Sequence, residues 1–143
     1  DFADRGAHDE ALFSAVAAVQ PDLIVCAGYL RIISAASVRR FEGRMINIHP
    51  SLLPKYPGLD THARALAAGD AEHGASVHVV VPELDAGPLL AQVRIPVQPG
   101  DDPAALAARL LPREHALLQS TVRLIALGRL RIDRAPVQFD GHG

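Results

Sequence analysis

An amide and an imidazole stand two residues apart at Asn47 and His49. On an extended segment that spacing puts both side chains on one side. Pro50 keeps His49 extended, because the residue before proline is pushed out of the helical region. An amide can hydrogen-bond a developing oxyanion, and an imidazole can move a proton near neutral pH. By type and spacing alone, the plainer reading of the pair is a polar strand end with a satisfied histidine. Asp85 lies in Glu83-Leu84-Asp85-Ala86-Gly87-Pro88, a turn composition in which aspartate is common. A functional aspartate there would orient His49 or stabilise its charged form. His78 is expected to pack on a sheet face.

Other chemistries find less in the chain. Its seven histidines are scattered without His-x-x-x-His spacing, and Cys26 is the single cysteine, so neither a zincin helix nor a thiolate cluster is expected. Ser51 lacks a Gly-x-Ser-x-Gly elbow, and no glycine-rich phosphate loop is present. With a net charge of -2, no basic surface for nucleic acid or acidic lipid is indicated. No apolar run reaches membrane-spanning length. A lone cysteine fits a reducing compartment, and a cytoplasmic location is expected.

The elements that must position these residues follow from patterning. Asp9 to Val19 draws one apolar stripe on a helix. Leu23 to Ala27 is a continuous apolar run, suited to a strand buried on both faces of a parallel sheet. Ser34 can cap a short helix to about Phe41, ended by Gly43, and Arg44 to Ile48 reads as the next strand. A helix between two such strands makes a right-handed βαβ unit. A proline-rich loop runs from Pro50 to Gly58, then a short helix from Thr61 to Ala68 closed by Gly69. Ser76 to Val81 is rich in β-branched residues. Leu89 to Val97 alternates as a strand with one face covered, and Pro96 places it at or near a sheet edge. Asp101-Asp102-Pro103 starts a helix towards Gly128, with a kink or break at Pro112. Arg129 to Ile132 and Pro136 to Phe139 could pair as a hairpin. The expected fold is α/β and Rossmann-like, a mainly parallel sheet flanked by helices, with late strands of mixed direction. Ligands bind such sheets beyond the carboxyl ends of the strands, here Gly28 to Ile33 and Asn47 to Pro50.

Three segments together resemble the phosphoribosylglycinamide formyltransferases, within the folate-dependent formyltransferase family. They are Ala27-Gly28-Tyr29-Leu30-Arg31-Ile32; Asn47-Ile48-His49-Pro50-Ser51-Leu52-Leu53-Pro54-Lys55-Tyr56-Pro57-Gly58; and His73-Gly74-Ala75-Ser76-Val77-His78 with Asp85-Ala86-Gly87-Pro88. The resemblance implies transfer of a formyl group from 10-formyltetrahydrofolate to the amine of glycinamide ribonucleotide, in purine biosynthesis and without a metal. It puts Asn47, His49 and Asp85 at the catalytic positions: Asn47 for the tetrahedral oxyanion, His49 for the oxyanion or the proton, Asp85 to hold His49 and a water. Leu30, Arg31 and Ile32 match the pterin site, with Asn47 and Asp85 also against the folate. Glu114 matches a glutamate that contacts the glycinamide substrate. Ser51 and Ser76 are weaker candidates for substrate or loop contacts.

The chain departs from the family at Asp60, where many relatives carry histidine, and no role is assigned to it. Residues 1–143 read as a single formyltransferase domain. The family's opening strand and glycine-rich phosphate turn find no match, so roughly sixty residues of a domain of ordinary size are expected to precede Asp1. Self-association through an uncovered strand is then possible. The rival readings are a non-catalytic folate-binding remnant, a formyltetrahydrofolate deformylase and a methionyl-tRNA formyltransferase. Lys55-Tyr56-Pro57-Gly58-Leu59 favours the purine enzyme over the last two, and the absence of a basic patch argues against tRNA.

Overall fold

A computed structural model describes residues 23–26, 35–41, 43–82 and 86–127. The order is β1 (Ile24–Cys26), α1 (Ala35–Arg40), β2 (Met45–His49), α2 (Thr61–Ala67), β3 (Glu72–Val79), β4 (Leu89–Pro96) and α3 (Pro103–Ala126). The described strands form one sheet in the order β1-β2-β3-β4. β1 and β2 are parallel, with α1 between them in sequence, while β2–β3 and β3–β4 are antiparallel. The α/β architecture is therefore as expected, and so are the late strands of mixed direction.

Alternation divides the sheet into two chemically different faces. Ile46, Ala75, Val77 and Val79 join Leu90, Ala91 and Ile95 in a core closed by Leu106, Leu110 and Leu117 of α3. On the opposite face, Phe41 beside α1 packs on Met45, Ile24 and Cys26. Farther along that face the side chains turn polar: Asn47 is opposite His78, and His49 is opposite Ser76.

Several boundaries differ from the sequence expectation. β3 begins at Glu72, four positions before the β-branched run, because Glu72, His73 and Gly74 pair with Pro96, Ile95 and Arg94 of β4. Gly74 is required there: a Cβ would stand 1.9 Å from the Val93 carbonyl oxygen and 2.7 Å from Leu52 Cδ2. β1 is not covered on both faces, since Val25 is 39% exposed at the end of the strand order. α3 runs through Pro112 without a break. An interior proline costs about 3 kcal/mol, but three buried leucines, Leu106, Leu110 and Leu117, contribute roughly 1.5–3 kcal/mol each and anchor the helix on both sides. Its start is as expected: Asp102 accepts a hydrogen bond from the Ala105 amide at 2.7 Å, and Pro103 opens the first turn. The expected helix over Asp9 to Val19 and the C-terminal hairpin lie outside the described residues, as does Ser34.

Candidate active site

The site is built around the carboxyl end of β2. Cys26 pairs with Asn47, so β1 and β2 end at the same edge. That is the edge at which open α/β sheets bind ligands. Asn47 and His49 project from one face, as period two requires, and His49 is buried.

Each of the two side chains is held by a different element. His78 Nδ1 lies 3.1 Å from the Val79 carbonyl oxygen. A carbonyl only accepts, so Nδ1 carries the proton and Nε2 is an acceptor. Asn47 Nδ2 donates to that Nε2 at 3.3 Å. This orients the amide, leaving Asn47 Oδ1 buried without a hydrogen-bond partner. Such an orphaned acceptor is uncommon in a folded chain and fits a substrate N–H. On His49, Nε2 donates to the Tyr56 carbonyl at 2.7 Å.

The proline-rich loop after β2 is fastened to the sheet through buried polar groups. Ser76 Oγ donates to the Ser51 carbonyl at 2.7 Å and accepts from the Leu53 amide at 3.1 Å. Gln92 Nε2 donates to Ser76 Oγ and to the Leu53 carbonyl, both at 2.9 Å. Ser51 Oγ donates to the Lys55 carbonyl, and the Leu53–Pro54 peptide is cis. Ser51 and Ser76 are thus committed to loop contacts, one of the two uses expected for them.

Behind this loop, His62 Nδ1 and His73 Nε2 are 3.0 Å apart. Burial pushes His73 down to about 4, assisted by His62 and His49 and opposed by Asp70. His62 is lowered by burial and then by His49. Both rings are neutral near pH 7. Among the described residues no group of three or more potential metal ligands converges.

The structure brings Asn47 and His49 together. Asp85 and Leu30 to Ile32 lie outside the described residues. The connection that carries Asp85 is anchored at both ends: the Val79 amide donates to the Pro88 carbonyl, and the Val80 amide to the Met45 carbonyl. Gly87 has no room for a Cβ, which would stand 1.7 Å from the Val79 carbonyl oxygen. Glu114 is half-buried on α3, and burial raises the pKa of its carboxyl from the ordinary value, with His115 opposing. Asp60 sits at positive φ before α2, with no side-chain capping bond.

Two contributors escaped sequence reasoning. His78 does pack on a sheet face, as expected, but it also holds Asn47. The available signal was its even spacing from Ser76 among β-branched residues. The Tyr56 carbonyl left no signal, because a backbone oxygen has no residue type.

The sequence model of the family described as formyl transferase matches residues 1–122. The phosphoribosylglycinamide formyltransferase of Escherichia coli K12 is 46% identical over 140 residues, 98% of this chain and 66% of that protein. The structure of phosphoribosylglycinamide formyltransferase from Coxiella burnetii superimposes with a TM-score of 0.86 at 47% identity, covering 96% of this chain and 64% of that one. A formyltetrahydrofolate deformylase from Pseudomonas syringae reaches the same TM-score, 0.86, at 28% identity, covering 91% and 44%. The chain spans just under two thirds of the length of the first two relatives. No helix among the described residues is long and apolar enough to cross a membrane. With a family match running through β1 to α3 and a polar strand end at the ligand-binding edge of its sheet, this chain belongs to the formyl transferase family.

Proposed function

We propose that the protein transfers a formyl group from 10-formyltetrahydrofolate to the amine of phosphoribosylglycinamide. The observation that carries this reading is the oriented pair at the end of β2: Asn47 turned by His78, and His49 tied through Nε2. The 46% identity to a phosphoribosylglycinamide formyltransferase, against 28% to a deformylase, favours the amine over water as acceptor.

In this reading the folate supplies an activated acyl carbon. Asn47 donates its second N–H to the oxygen on which charge develops, and its orphaned Oδ1 accepts from the attacking amine. His49 takes up or passes on the proton the amine releases. Asp85 stabilises the charged form of His49 and holds a water, and Leu30 to Ile32 receive the pterin. Glu114 meets the glycinamide end. The work is positioning and electrostatics, and the residues named require no metal. Small molecules are the proposed partners, and the cytoplasm, which a lone Cys26 suits, is the proposed location.

The test is to mix the full chain with 10-formyltetrahydrofolate, with and without phosphoribosylglycinamide, and follow deformylated folate. Amine-dependent release is expected. Release that ignores the amine would favour the deformylase reading, and folate binding without release would favour a binding remnant. Asp85→Asn should lower turnover far more than folate affinity, as for an interaction made mainly in the transition state.

A further inference from the structure

The ring of His49 is held by a carbonyl that is itself held in an unusual way. Nε2 donates to Tyr56 O at 2.7 Å. That bond selects the Nε2–H tautomer, so any proton this ring takes is taken at Nδ1, and Nδ1 can donate to an oxyanion only after it has taken that proton. Tyr56 has φ 54, a left-handed conformation uncommon for a non-glycine residue and sustained only when its surroundings over-determine it. A rotation of that peptide would turn the carbonyl away from His49.

What over-determines Tyr56 is its side chain. Its hydroxyl donates to Asp70 Oδ2 at 2.6 Å. The Arg64 guanidinium lies over its ring, 5.2 Å from the centroid, and donates to the carbonyls of Pro57 and Leu59. Asp70 also faces Lys55 Nζ at 3.7 Å, so it grips two successive residues of the loop. Asp70 is in turn fixed by its position after α2: its amide donates to the Ala65 carbonyl at 3.2 Å, just past the left-handed turn at Gly69.

We propose that Asp70, acting through the Tyr56 hydroxyl, is a positioning residue that fixes the Tyr56 carbonyl and thereby the tautomer of His49. This rests on the reading of His49 as the ring that handles the transferred proton. Asp70 touches no reacting atom. Its bond to Tyr56 is charge-assisted, the stronger kind, and it converts an exposed loop into a rigid acceptor for the ring. Setting a catalytic histidine in the wrong tautomer costs about 10⁴-fold in a serine protease triad. Here the carbonyl stays tethered in the chain, so the loss on releasing it is smaller, about 10- to 100-fold.

The test uses the full chain labelled with ¹⁵N-histidine, with the His49 ring assigned by its loss in His49→Asn. In its neutral form the wild-type ring should carry its proton on Nε2 and leave Nδ1 unprotonated. Asp70→Ala and Tyr56→Phe should each give a mixture of tautomers. Asp70→Asn, whose amide oxygen still accepts from Tyr56, should restore the wild-type spectrum. In the formyl-transfer assay, Asp70→Ala and Tyr56→Phe should lose about 10- to 100-fold in kcat, a part of the 10²–10⁴ an acid–base group supplies, with folate KM little changed. Asp70→Asn should recover most of it. Tyr56→Phe removes a single oxygen and serves if Asp70→Ala does not fold. A wild-type His49 carrying its proton on Nδ1, or a spectrum that both variants leave unchanged, overturns the proposal. Tautomer mixing in a chain without formyl transfer would instead remove the catalytic reading of His49 and leave the positioning contact standing.

Discussion

Acidification should weaken this protein first at the His62–His73 contact. A hydrogen bond between two imidazoles needs one N–H and one lone pair. The pair, at 3.0 Å with its rings nearly perpendicular, accepts a first proton by letting one ring donate. A second proton sets N–H against N–H. His73 has the harder position, buried on β3 with a relative exposure of 1%, and its pKa is lowered from 6.5 to about 4. The unfolded chain takes a proton at this residue as pH falls below 6.5, whereas the folded chain refuses it until about 4. Stability from this group is therefore fully present above pH 6.5, is lost as pH falls through the window, and levels off below about 4. The gap between 6.5 and about 4, at 1.36 kcal/mol per pH unit, sets a ceiling of roughly 3 kcal/mol. Local opening of α2 lets water reach the ring at lower cost, so a loss of about 1–2 kcal/mol is expected. Urea denaturation at several pH values between about 7 and 4, on wild type and His73→Gln, measures it. The variant should be less stable near pH 7 and show a flatter pH profile. Parallel profiles for the two proteins would refute the assignment, because then another group carries the acid sensitivity.

Three further outcomes follow from the same geometry. His78→Phe keeps a buried ring but removes the acceptor that orients Asn47. Losing an oxyanion donor outright costs about 10²–10³ in kcat, and loosening one should cost on the order of tenfold, read as kcat against folate KM. Gly74→Ala places a Cβ 1.9 Å from a backbone oxygen of β4 and should destabilise by about 3 kcal/mol, the upper end of overpacking, in chemical denaturation. Asp102→Ala removes the cap on Ala105 and should cost about 1 kcal/mol with kcat unchanged.

Legibility divides by range along the chain. Local signals gave the entry and exit of short elements: Gly43 and Gly69 both adopt positive φ where the helices were expected to end, and Asp102 caps α3. The expected strand at Arg44 to Ile48 is Met45–His49, shifted by one residue. What failed locally was decided at a distance. β3 extends back to Glu72 because β4 offers partners some twenty residues away, and Pro112 does not end α3 because its leucines are pinned in a core drawn from three strands. The site follows the same rule. Asn47 and His49 could be read from period two and a following proline. The bond from Asn47 to His78 spans 31 residues and depends on strand register. Tyr56 acts on His49 through a backbone atom, which sequence patterning does not mark.

The polar patch at the end of β2 also explains why a small sheet keeps so many hydrophilic groups out of water. Ser51, Ser76 and His78 are all buried, and each has a hydrogen-bond partner. Paired in this way they cost the fold little, and they hold the loop at one geometry. Asn47 Oδ1 is the exception, buried without a partner. Leaving such an acceptor unmade costs about 1–3 kcal/mol. Rotating the amide would not remove the cost, because its oxygen would then face the lone pair of His78 Nε2. The orientation that keeps the bond to His78 is therefore the one that directs the unsatisfied oxygen elsewhere. A ligand N–H that meets Oδ1 recovers the cost already incurred in folding, so part of the binding preference for an amine is stored in the protein before the amine arrives.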